Sequence, residues 1–433
     1  MIPMKNYLFQ TPEDICVQLK KMTHPVTIRT TDIANFWHYL ESATLPVITK
    51  STTTENREVT FLWRSEKALQ GVYLRLNRVT DKKDVKKGLM THIPSTDIWM
   101  LTLVLPASYR GSYSFIEIPT DMTQKDIFQL GSRFSPLPGK SDPFNKTAEI
   151  NIRGFGESVL SLDMAPEQKE WDDTSHKCTG ILSTLHSFVA GYQRRIRLYF
   201  PLNPTSVPLG LLVLPDAETW FDRIDITRAL DMAITTGRIT PMAIMGIDNI
   251  NESDRMNILG GNKELIFDIA ENLIPQLYRD YPDIVWAGRS NTVLAGQSLG
   301  GVTALMAAIY ASTTFGTIIS HSPSMWWNPD QGSPILFTEN NTSWVSEQIL
   351  SAPPKDVNIR LGVGSLEGTT VSHVQRLHHS LIAAGLESNL TVYTGGHDYA
   401  WWRGAIIDEL ANYNCRKVSN NNSVALLNKS DFG

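Results

Sequence analysis

Ser298 is the residue whose surroundings best suit nucleophilic chemistry, because it lies in the string Gly296-Gln297-Ser298-Leu299-Gly300. The apolar strand pattern NTVLAG leads into this string and the helical pattern VTALMAAIY follows it. A serine on a sharp turn between a strand and a helix presents its hydroxyl for attack on a carbonyl. Glycine is expected at 296 and 300 because side chains there would clash across the turn. The pattern predicts covalent catalysis by Ser298; the alternative is a glycine-rich turn with a structural serine.

The base that activates Ser298 is predicted to be His397. A hydroxyl is a poor nucleophile until a base removes its proton, and in this arrangement the order along the chain is serine, acid, histidine. Three later histidines fall in the helical pattern HVQRLHHSLIAAG, which should pack outside the sheet. His397 instead lies in TVYTGGHDYAWW, where a strand ends in a Gly-Gly turn from which an imidazole can reach the serine. The alternative is a loop histidine that caps the following helix.

The acid that orients the histidine is expected on the loop after the last-but-one strand. The strand pattern NIRLGVG ends at Gly364, and Glu367 follows at once. Asp330, on the loop after the strand pattern GTIIS, is the competitor, because some hydrolases take their acid from that earlier loop. A serine–histidine pair without an essential acid is the third possibility. We predict Glu367 as the acid.

Two backbone N–H groups should stabilise the oxyanion that forms when a serine attacks a carbonyl. The amide of Leu299, directly after the serine, supplies the first. The strand pattern LGLLVLP leads into the loop DAETW, so that the amide of Ala217 or Glu218 supplies the second. The sequence thus predicts an oxyanion hole formed by Leu299 and Ala217, with Glu218 as the alternative donor.

The 433 residues exceed the length usual for one domain, and two domains are predicted. Short stretches rich in β-branched and aromatic residues between 58 and 119 favour an all-β, immunoglobulin-like sandwich, which we place over residues 1–170 and expect to cover the substrate. Over 171–417, strand patterns alternate with helical ones such as Glu264–Arg279 and Gly301–Ala311. This alternation predicts an α/β-hydrolase domain, a parallel-rich sheet with helices on both faces. A disordered tail is expected over 418–433.

Composition excludes several classes of protein. With 42% hydrophobic residues, 19% charged residues and a net charge of −5, the chain is globular in character and has no basic field for nucleic acid. It contains no apolar run of about 18 residues for a membrane-spanning helix, and its N-terminus lacks the apolar core of a signal peptide. Cys16, Cys178 and Cys415 show no metal or redox spacing. We expect a cytoplasmic protein without nucleic-acid or membrane partners.

Several motifs together resemble those of the enterochelin esterases, which hydrolyse ferric enterobactin inside enteric bacteria. In the first domain the resemblance rests on VTFLWR at 59–64, LNRVTDK at 76–82, RGSY at 110–113 and DPFN at 142–145. In the second it rests on RLYFP at 197–201, the DAETW loop, DR at 254–255, AGQSLGG at 295–301, Trp326-Trp327 and GGHDYAWWRG at 395–404. Together the motifs cover most of the chain.

The resemblance implies that Ser298 and His397 are the catalytic pair and that Glu367 occupies the family's acidic position. It also implies the substrate, a cyclic trilactone of three N-(2,3-dihydroxybenzoyl)serines around Fe(III) that carries three negative charges. Arginine suits such charge, and aromatic faces suit catechol rings. Substrate contacts are therefore expected from side chains in the matching motifs: Arg110, Arg255, Arg403, Trp326 and Trp327.

Further expectations follow from the same resemblance. The iron is cargo on the substrate, so we expect no metal or cofactor in the reaction, and we expect a monomer. Ala217 stands where such loops often have glycine, and alanine restricts the φ angle. Two alternatives stay open: a carbohydrate or aryl esterase, and a non-catalytic siderophore-binding protein. The absence of a signal peptide disfavours the secreted form of the first, and the presence of Ser298 and His397 disfavours the second.

Overall fold

The structure is a computed structural model that describes residues 11–23, 29–81, 85–131, 135, 137–147, 150–151, 156–202, 207–330 and 337–412. The chain divides into two compact units after Pro166, and the segment Thr394–Ala400 belongs to the N-terminal unit. The sequence-based boundary was placed near residue 170, with 394–400 assigned to the second domain. Cys415 and the tail predicted over 418–433 lie outside the described residues.

Within the described residues of the N-terminal unit, the strands form two four-stranded sheets in which all pairings are antiparallel. In spatial order the first sheet contains β1 (Val47–Lys50), β2 (Asn56–Arg64), β5 (Ile98–Pro106) and β4 (Thr91–His92). The second contains β3 (Gly71–Leu76), β6 (Arg110–Ile118), β8 (Gly156–Ser161) and β7 (Ile150–Asn151). Side chains of both sheets share one core that includes Phe61, Leu74 and Phe115. The predicted strand-rich region is confirmed, and its immunoglobulin-like character stays a prediction.

Two helices that the all-β prediction did not include precede these strands: α1 (Pro12–Met22) and α2 (Thr30–Leu40). Helix α1 begins with a capping box, because the Thr11 hydroxyl accepts from the Asp14 N–H and the Asp14 carboxylate accepts from the Thr11 N–H. Both helices pack against the first sheet in a core that includes Leu19, Trp37, Leu40, Leu62 and Ile98. The unit also contains the short helices α3 (Val85–Gly88) and α4 (Gln124–Ile127).

The C-terminal unit is built on one eight-stranded mixed sheet. Its strands, in spatial order, are β9 (Ile181–Val189), β10 (Tyr192–Phe200), β12 (Met242–Ile247), β11 (Gly210–Pro215), β13 (Thr292–Gln297), β14 (Thr317–His321), β15 (Asn358–Gly364) and β16 (Ser388–Tyr393). Strands β11 to β16 pair in parallel, and β10 pairs antiparallel with β9 and β12. Every residue of β11 to β15 is buried, so both faces of the sheet are covered. The predicted parallel-rich sheet is confirmed.

Helices connect these strands along the chain. They are α5 (Lys169–Asp172), α6 (Ala217–Asp222), α7 (Ile226–Thr235), α8 (Glu252–Ile258), α9 (Lys263–Phe267), α10 (Ile274–Asp280), α11 (Leu299–Tyr310), α12 (Trp344–Ser351) and α13 (Thr369–Ala383), with a 3₁₀ turn at Arg289–Asn291 and a last helix over residues 399–412. A π-helical turn, Asp268–Leu273, joins α9 to α10 just before Pro275, whose ring nitrogen cannot donate to the Glu271 carbonyl. The helices predicted over Glu264–Arg279 and Gly301–Ala311 are thus confirmed.

Candidate active site

Ser298 lies at the sharp turn between β13 and α11, with a φ of 58° and a ψ of −119°. Such a conformation costs a residue other than glycine on the order of 1–3 kcal/mol, and it persists only where the surroundings fix it. Here the Ser298 N–H donates to the His321 carbonyl at 3.0 Å, and the Ser324 N–H donates to the Ser298 carbonyl at 3.0 Å. A serine held in this way between a buried strand and a helix has the geometry of a nucleophile elbow.

The Ser298 hydroxyl has a neighbour that the sequence did not indicate. Its Oγ lies 3.3 Å from the Oγ of Ser324, a buried residue on the loop after β14. Either hydroxyl can donate in this contact. Ser324 thus contacts the predicted nucleophile through both its side chain and its backbone, although 26 positions separate the two serines.

The glycines of the elbow differ in how much space the structure leaves for a side chain. A Cβ on Gly296 would lie 2.2 Å from the Gly300 carbonyl oxygen, so no side chain fits there. A Cβ on Gly300 would lie 3.6 Å from the nearest atom, a carboxylate oxygen of Asp216, which is ordinary van der Waals contact. The expectation that both positions need glycine is therefore right for 296 and wrong for 300. At Gly301 a Cβ would lie 3.0 to 3.1 Å from atoms of Ser320, His321 and Pro323, at the end of β14 and just after it, so there is little space for a side chain at this helix start.

The two predicted oxyanion donors both begin helices. Leu299 is the first residue of α11 and Ala217 the first residue of α6, and both are buried. The N–H groups of a first helical turn have no acceptor within their helix, so they are available to an anion. The positive φ of this loop, 59°, falls on Asp216 rather than on Ala217, which explains why alanine is accommodated. The pairing of the two amides as an oxyanion hole stays a prediction.

Asp216 joins the loop after β11 to the nucleophile elbow. Its carboxylate is 1% exposed and accepts two hydrogen bonds from Arg255, at 2.6 and 2.9 Å. It also accepts from the side-chain amides of Asn249 at 2.6 Å and Gln297 at 2.8 Å. Because Gln297 directly precedes Ser298, this Asp216 cluster (Asp216, Asn249, Arg255 and Gln297) fixes the position of one helix start relative to the other.

Glu367 follows β15, as predicted, and it is 4% exposed. Its carboxylate accepts hydrogen bonds from the Gly364 N–H, at 2.8 Å, and from the hydroxyl of Ser322. The same hydroxyl accepts from the indole N–H of Trp402 at 2.9 Å. Asp330, the competing acid, is exposed at a turn where its own N–H donates to the Asn328 side chain. The buried and oriented carboxylate favours Glu367, whose catalytic role stays a prediction.

His397 lies in the segment Thr394–Ala400 of the N-terminal unit. It is half-buried, and both its backbone N–H and its carbonyl bind the side-chain amide of Asn77 at 3.1 Å. In the sequence, Asn77 was indicated only by the motif LNRVTDK, which contains it. The pairing of His397 with Ser298 stays a prediction.

The three arginines predicted to bind substrate all have partners within their own unit. Arg110 donates to the Ser161 hydroxyl and the Pro166 carbonyl, and Arg403 donates to the Gln168 side chain and lies over the Trp171 ring. Both are 6% exposed, whereas the side chain of Arg255, which binds Asp216, is 19% exposed. Their roles as substrate contacts stay predictions.

The predicted aromatic contacts lie on the loop after β14 and are partly buried. Trp327 packs edge-on against Trp344 with 5.1 Å between the ring centroids. Its indole also fills the space beside Gly260 and Gly261, where an added Cβ would come within 2.9 Å of it. Trp326 packs against the core of the C-terminal unit. Both tryptophans therefore serve packing, and their contact with substrate stays a prediction.

His321, at the end of β14, is buried against Trp401. Its Nε2 has no hydrogen-bond partner among the described residues. Burial lowers the pKa of this histidine to about 3, so the imidazole is neutral near neutral pH.

Among the described residues there is no group of three or more metal-ligating side chains, and no helix long and apolar enough to cross a membrane.

Comparison with known families matches both parts of the chain. Residues 187–413 match the family described as "Putative esterase", and residues 58–171 match the family described as "Enterochelin esterase, N-terminal". The chain is 58% identical to the iron(III) salmochelin esterase of Escherichia coli O6:H1, a match that covers 87% of this chain and 92% of the relative. It is 27% identical to the iron(III) enterobactin esterase of Dickeya dadantii, over 81% of this chain and 86% of the relative.

Solved structures of similar proteins agree with these matches. The enterobactin esterase of Shigella flexneri, crystallised in the presence of enterobactin, is 25% identical with a TM-score of 0.75, over 88% of this chain and 97% of that one. The ferric enterobactin esterase of Salmonella typhimurium, 24% identical, shares the fold with a TM-score of 0.76 over 88% and 100% of the two chains. The mixed sheet, its nucleophile elbow and the family matches define an esterase. The chain belongs to the enterochelin esterase family.

Proposed function

We propose that this esterase hydrolyses the lactone bonds of a ferric catecholate siderophore, with Ser298 as the nucleophile. The observation that carries the proposal is the strained backbone of Ser298 between β13 and α11, in a chain 58% identical to an iron(III) salmochelin esterase. A relative named for enterobactin supports the same substrate class. A carbohydrate or aryl esterase and a non-catalytic carrier are not favoured by these relatives.

The chemistry is acyl transfer in two halves. Ser298 Oγ attacks a lactone carbonyl while His397 takes the hydroxyl proton, and the oxyanion accepts hydrogen bonds from the amides of Leu299 and Ala217. The C–O bond of the ester then breaks, and the leaving alkoxide of the substrate's serine unit takes the proton from His397 and becomes a hydroxyl. Water, deprotonated by the same histidine, attacks the acyl-enzyme and releases the acid and free Ser298. Glu367 stabilises the charged imidazole.

Other features of the molecule follow from the same proposal. Fe(III) is part of the substrate, and ring opening weakens its cage so that the iron can be released. The immunoglobulin-like sandwich covers the bound siderophore, and Arg110, Arg255, Arg403, Trp326 and Trp327 are its candidate contacts. A monomeric, cytoplasmic protein with no cofactor and without nucleic-acid or membrane partners is expected from the sequence.

Ser298→Ala tests the proposal. Loss of the nucleophile should lower hydrolysis of ferric enterobactin by about 10³-fold or more and leave binding of the ferric ligand intact. Chromatography with mass detection of the dihydroxybenzoyl-serine products measures the reaction, with ferric salmochelin assayed in parallel. The control is Ser351→Ala, at an exposed serine whose hydroxyl donates only to the local Gln348 carbonyl among the described contacts. Substantial hydrolysis by Ser298→Ala would contradict the assignment.

A further inference from the structure

The segment that carries His397 is packed as part of the N-terminal unit. At its start, the Arg110 N–H donates to the Thr394 carbonyl at 3.0 Å, and the Ser108 and Thr394 hydroxyls lie 2.8 Å apart. Just after the histidine, the carboxylate of Asp398 accepts from the N–H and the hydroxyl of Ser112, at 2.6 and 2.9 Å. The N-terminal unit therefore holds the segment on both sides of His397.

Asn77 holds His397 itself. The Asn77 Oδ1 accepts from the His397 N–H and the Asn77 Nδ2 donates to the His397 carbonyl, both at 3.1 Å. A primary amide offers a donor and an acceptor side by side, which this pair of contacts requires. The preceding residue, Gly396, packs so closely against Asn77 that no side chain fits there, because a Cβ would lie 2.3 Å from the Asn77 Oδ1. The Asn77 side chain, from the turn after β3, thus binds both polar groups of the His397 backbone.

Hydrogen bonds hold the turn that presents Asn77. The Asn77 N–H donates to the Ser112 carbonyl at 3.2 Å. The buried hydroxyl of Thr80 donates to the Leu74 carbonyl at 2.6 Å and accepts from the Leu76 N–H at 2.8 Å, so it closes the end of β3. These contacts explain why LNRVTDK and RGSY stood out in the sequence, since both motifs meet the same segment.

We propose that Asn77 is a positioning residue for the catalytic base, so that the N-terminal unit takes part in catalysis by orienting His397. This inference rests on the proposed function, in which His397 moves the proton of Ser298. The backbone sets the position of Cβ and the rotamers that an imidazole can adopt, and a displacement of about 1 Å in a reacting group can cost about 10²-fold in rate. A residue that acts in this way changes kcat and leaves substrate binding alone.

The test begins with Asn77→Ala in the full chain, with ferric enterobactin as the substrate. We expect kcat to fall by about 10-fold to 100-fold while KM stays within about 2-fold of wild type. The control is Asn145→Ala, because the Asn145 amide is also hydrogen-bonded within the N-terminal unit: it donates to the Tyr113 hydroxyl and the Val159 carbonyl, both at 3.0 Å, and accepts from the N–H and the hydroxyl of Thr147. Equal losses of kcat in the two variants would overturn the proposal, since they would show a general structural effect.

A double-mutant cycle with His397→Ala separates positioning from other roles. Once the imidazole is absent, adding Asn77→Ala should change the residual rate by less than about 2-fold. The same fold-loss in both backgrounds would overturn the inference, as would an unchanged kcat in Asn77→Ala. If His397→Ala itself kept wild-type activity, the proposed function would fail first and the inference with it.

Asn77→Asp serves if Asn77→Ala does not fold. The carboxylate keeps the acceptor for the His397 N–H and places an oxygen, in place of the donor, against the His397 carbonyl. We expect a folded protein with kcat lowered by about 10-fold and KM within about 2-fold of wild type. A wild-type kcat in Asn77→Asp would overturn the inference.

Discussion

At the scale of single residues, some features of the nucleophile elbow are visible in the sequence and others depend on residues that are distant along the chain. The order of strand, serine and helix was sufficient to predict the turn that holds Ser298, because the motif is local. The need for glycine at 300 was a wrong expectation, because it depends on where the first turn of α11 points, and the structure shows space there. Ser322 and Ser324 were missed since their partners, Glu367 and Ser298, are distant in sequence.

The contrast between Gly296 and Gly300 gives a paired prediction. Gly296→Ala should lower the free energy of unfolding by about 3 kcal/mol, the upper end for overpacking, because its methyl group meets a backbone carbonyl at 2.2 Å. Gly300→Ala should stay within about 1 kcal/mol of wild type, since the methyl group has space and alanine favours the helix. Urea unfolding of both variants measures the difference. Similar losses in the two would show that the turn is tighter than these distances indicate.

At the scale of elements, the Asp216 cluster links the start of α6 to the end of β13. The strand pattern predicted β13 correctly, whereas DAETW, which was predicted as a loop, forms the start of α6. These patterns could not show that Arg255 of α8 binds the carboxylate between the two elements, because an ion pair between residues 39 apart leaves no local pattern. Arg255 was singled out for its charge and its motif, and the structure gives that charge an internal partner.

Arg255→Ala distinguishes the two roles of this arginine. If its main role is to pair with Asp216, its loss leaves a buried carboxylate without its cation and should cost about 3–5 kcal/mol of stability. Adding Asp216→Asn should then recover part of that loss. Urea unfolding together with kcat and KM for ferric enterobactin provides the measurement. An unchanged stability with a raised KM would instead make Arg255 a substrate contact.

At the scale of the whole molecule, the sequence indicated a strand-rich part followed by an alternating part, and the structure has both. The sequence-based prediction assigned residues 394–400 to the second domain because of their position in the chain, whereas their contacts place this segment in the N-terminal unit. Three buried groups with shifted pKa values bear on how stability depends on pH. Burial raises the pKa of Asp142 and Asp398 in the N-terminal unit to about 6, and it lowers the pKa of His321 in the C-terminal unit to about 3.

Mild acid should therefore weaken the C-terminal unit through His321. The unfolded chain takes up a proton below the ordinary histidine pKa of about 6.5, and the folded unit does not until about pH 3, so stability falls as the pH falls through this window. Between pH 6.5 and pH 5 the loss is about 2 kcal/mol. The two carboxyls act in the opposite sense, since the stability that they confer rises as the pH falls below about 6.

His321→Phe should remove the loss of about 2 kcal/mol from the C-terminal unit. Urea unfolding at pH 7 and pH 5, followed by hydrogen exchange of peptides from β13 to β15, measures it. The control is His186→Phe, at an exposed histidine on β9. The expectation fails if wild type and His321→Phe lose the same stability between the two pH values.

The two hydrogen bonds between Asn77 and His397 also limit how the genes of related esterases can be recombined into chimeras. The two family matches suggest a recombination point between residues 171 and 187, which would leave the segment with His397 in the C-terminal part. A chimera made at that point would combine the β3 turn of one parent with the Gly-Gly-His segment of another, and a mismatch there would disturb the base. The exchangeable module is therefore the first 166 residues together with 394–400, two stretches of gene that must be inherited as a pair.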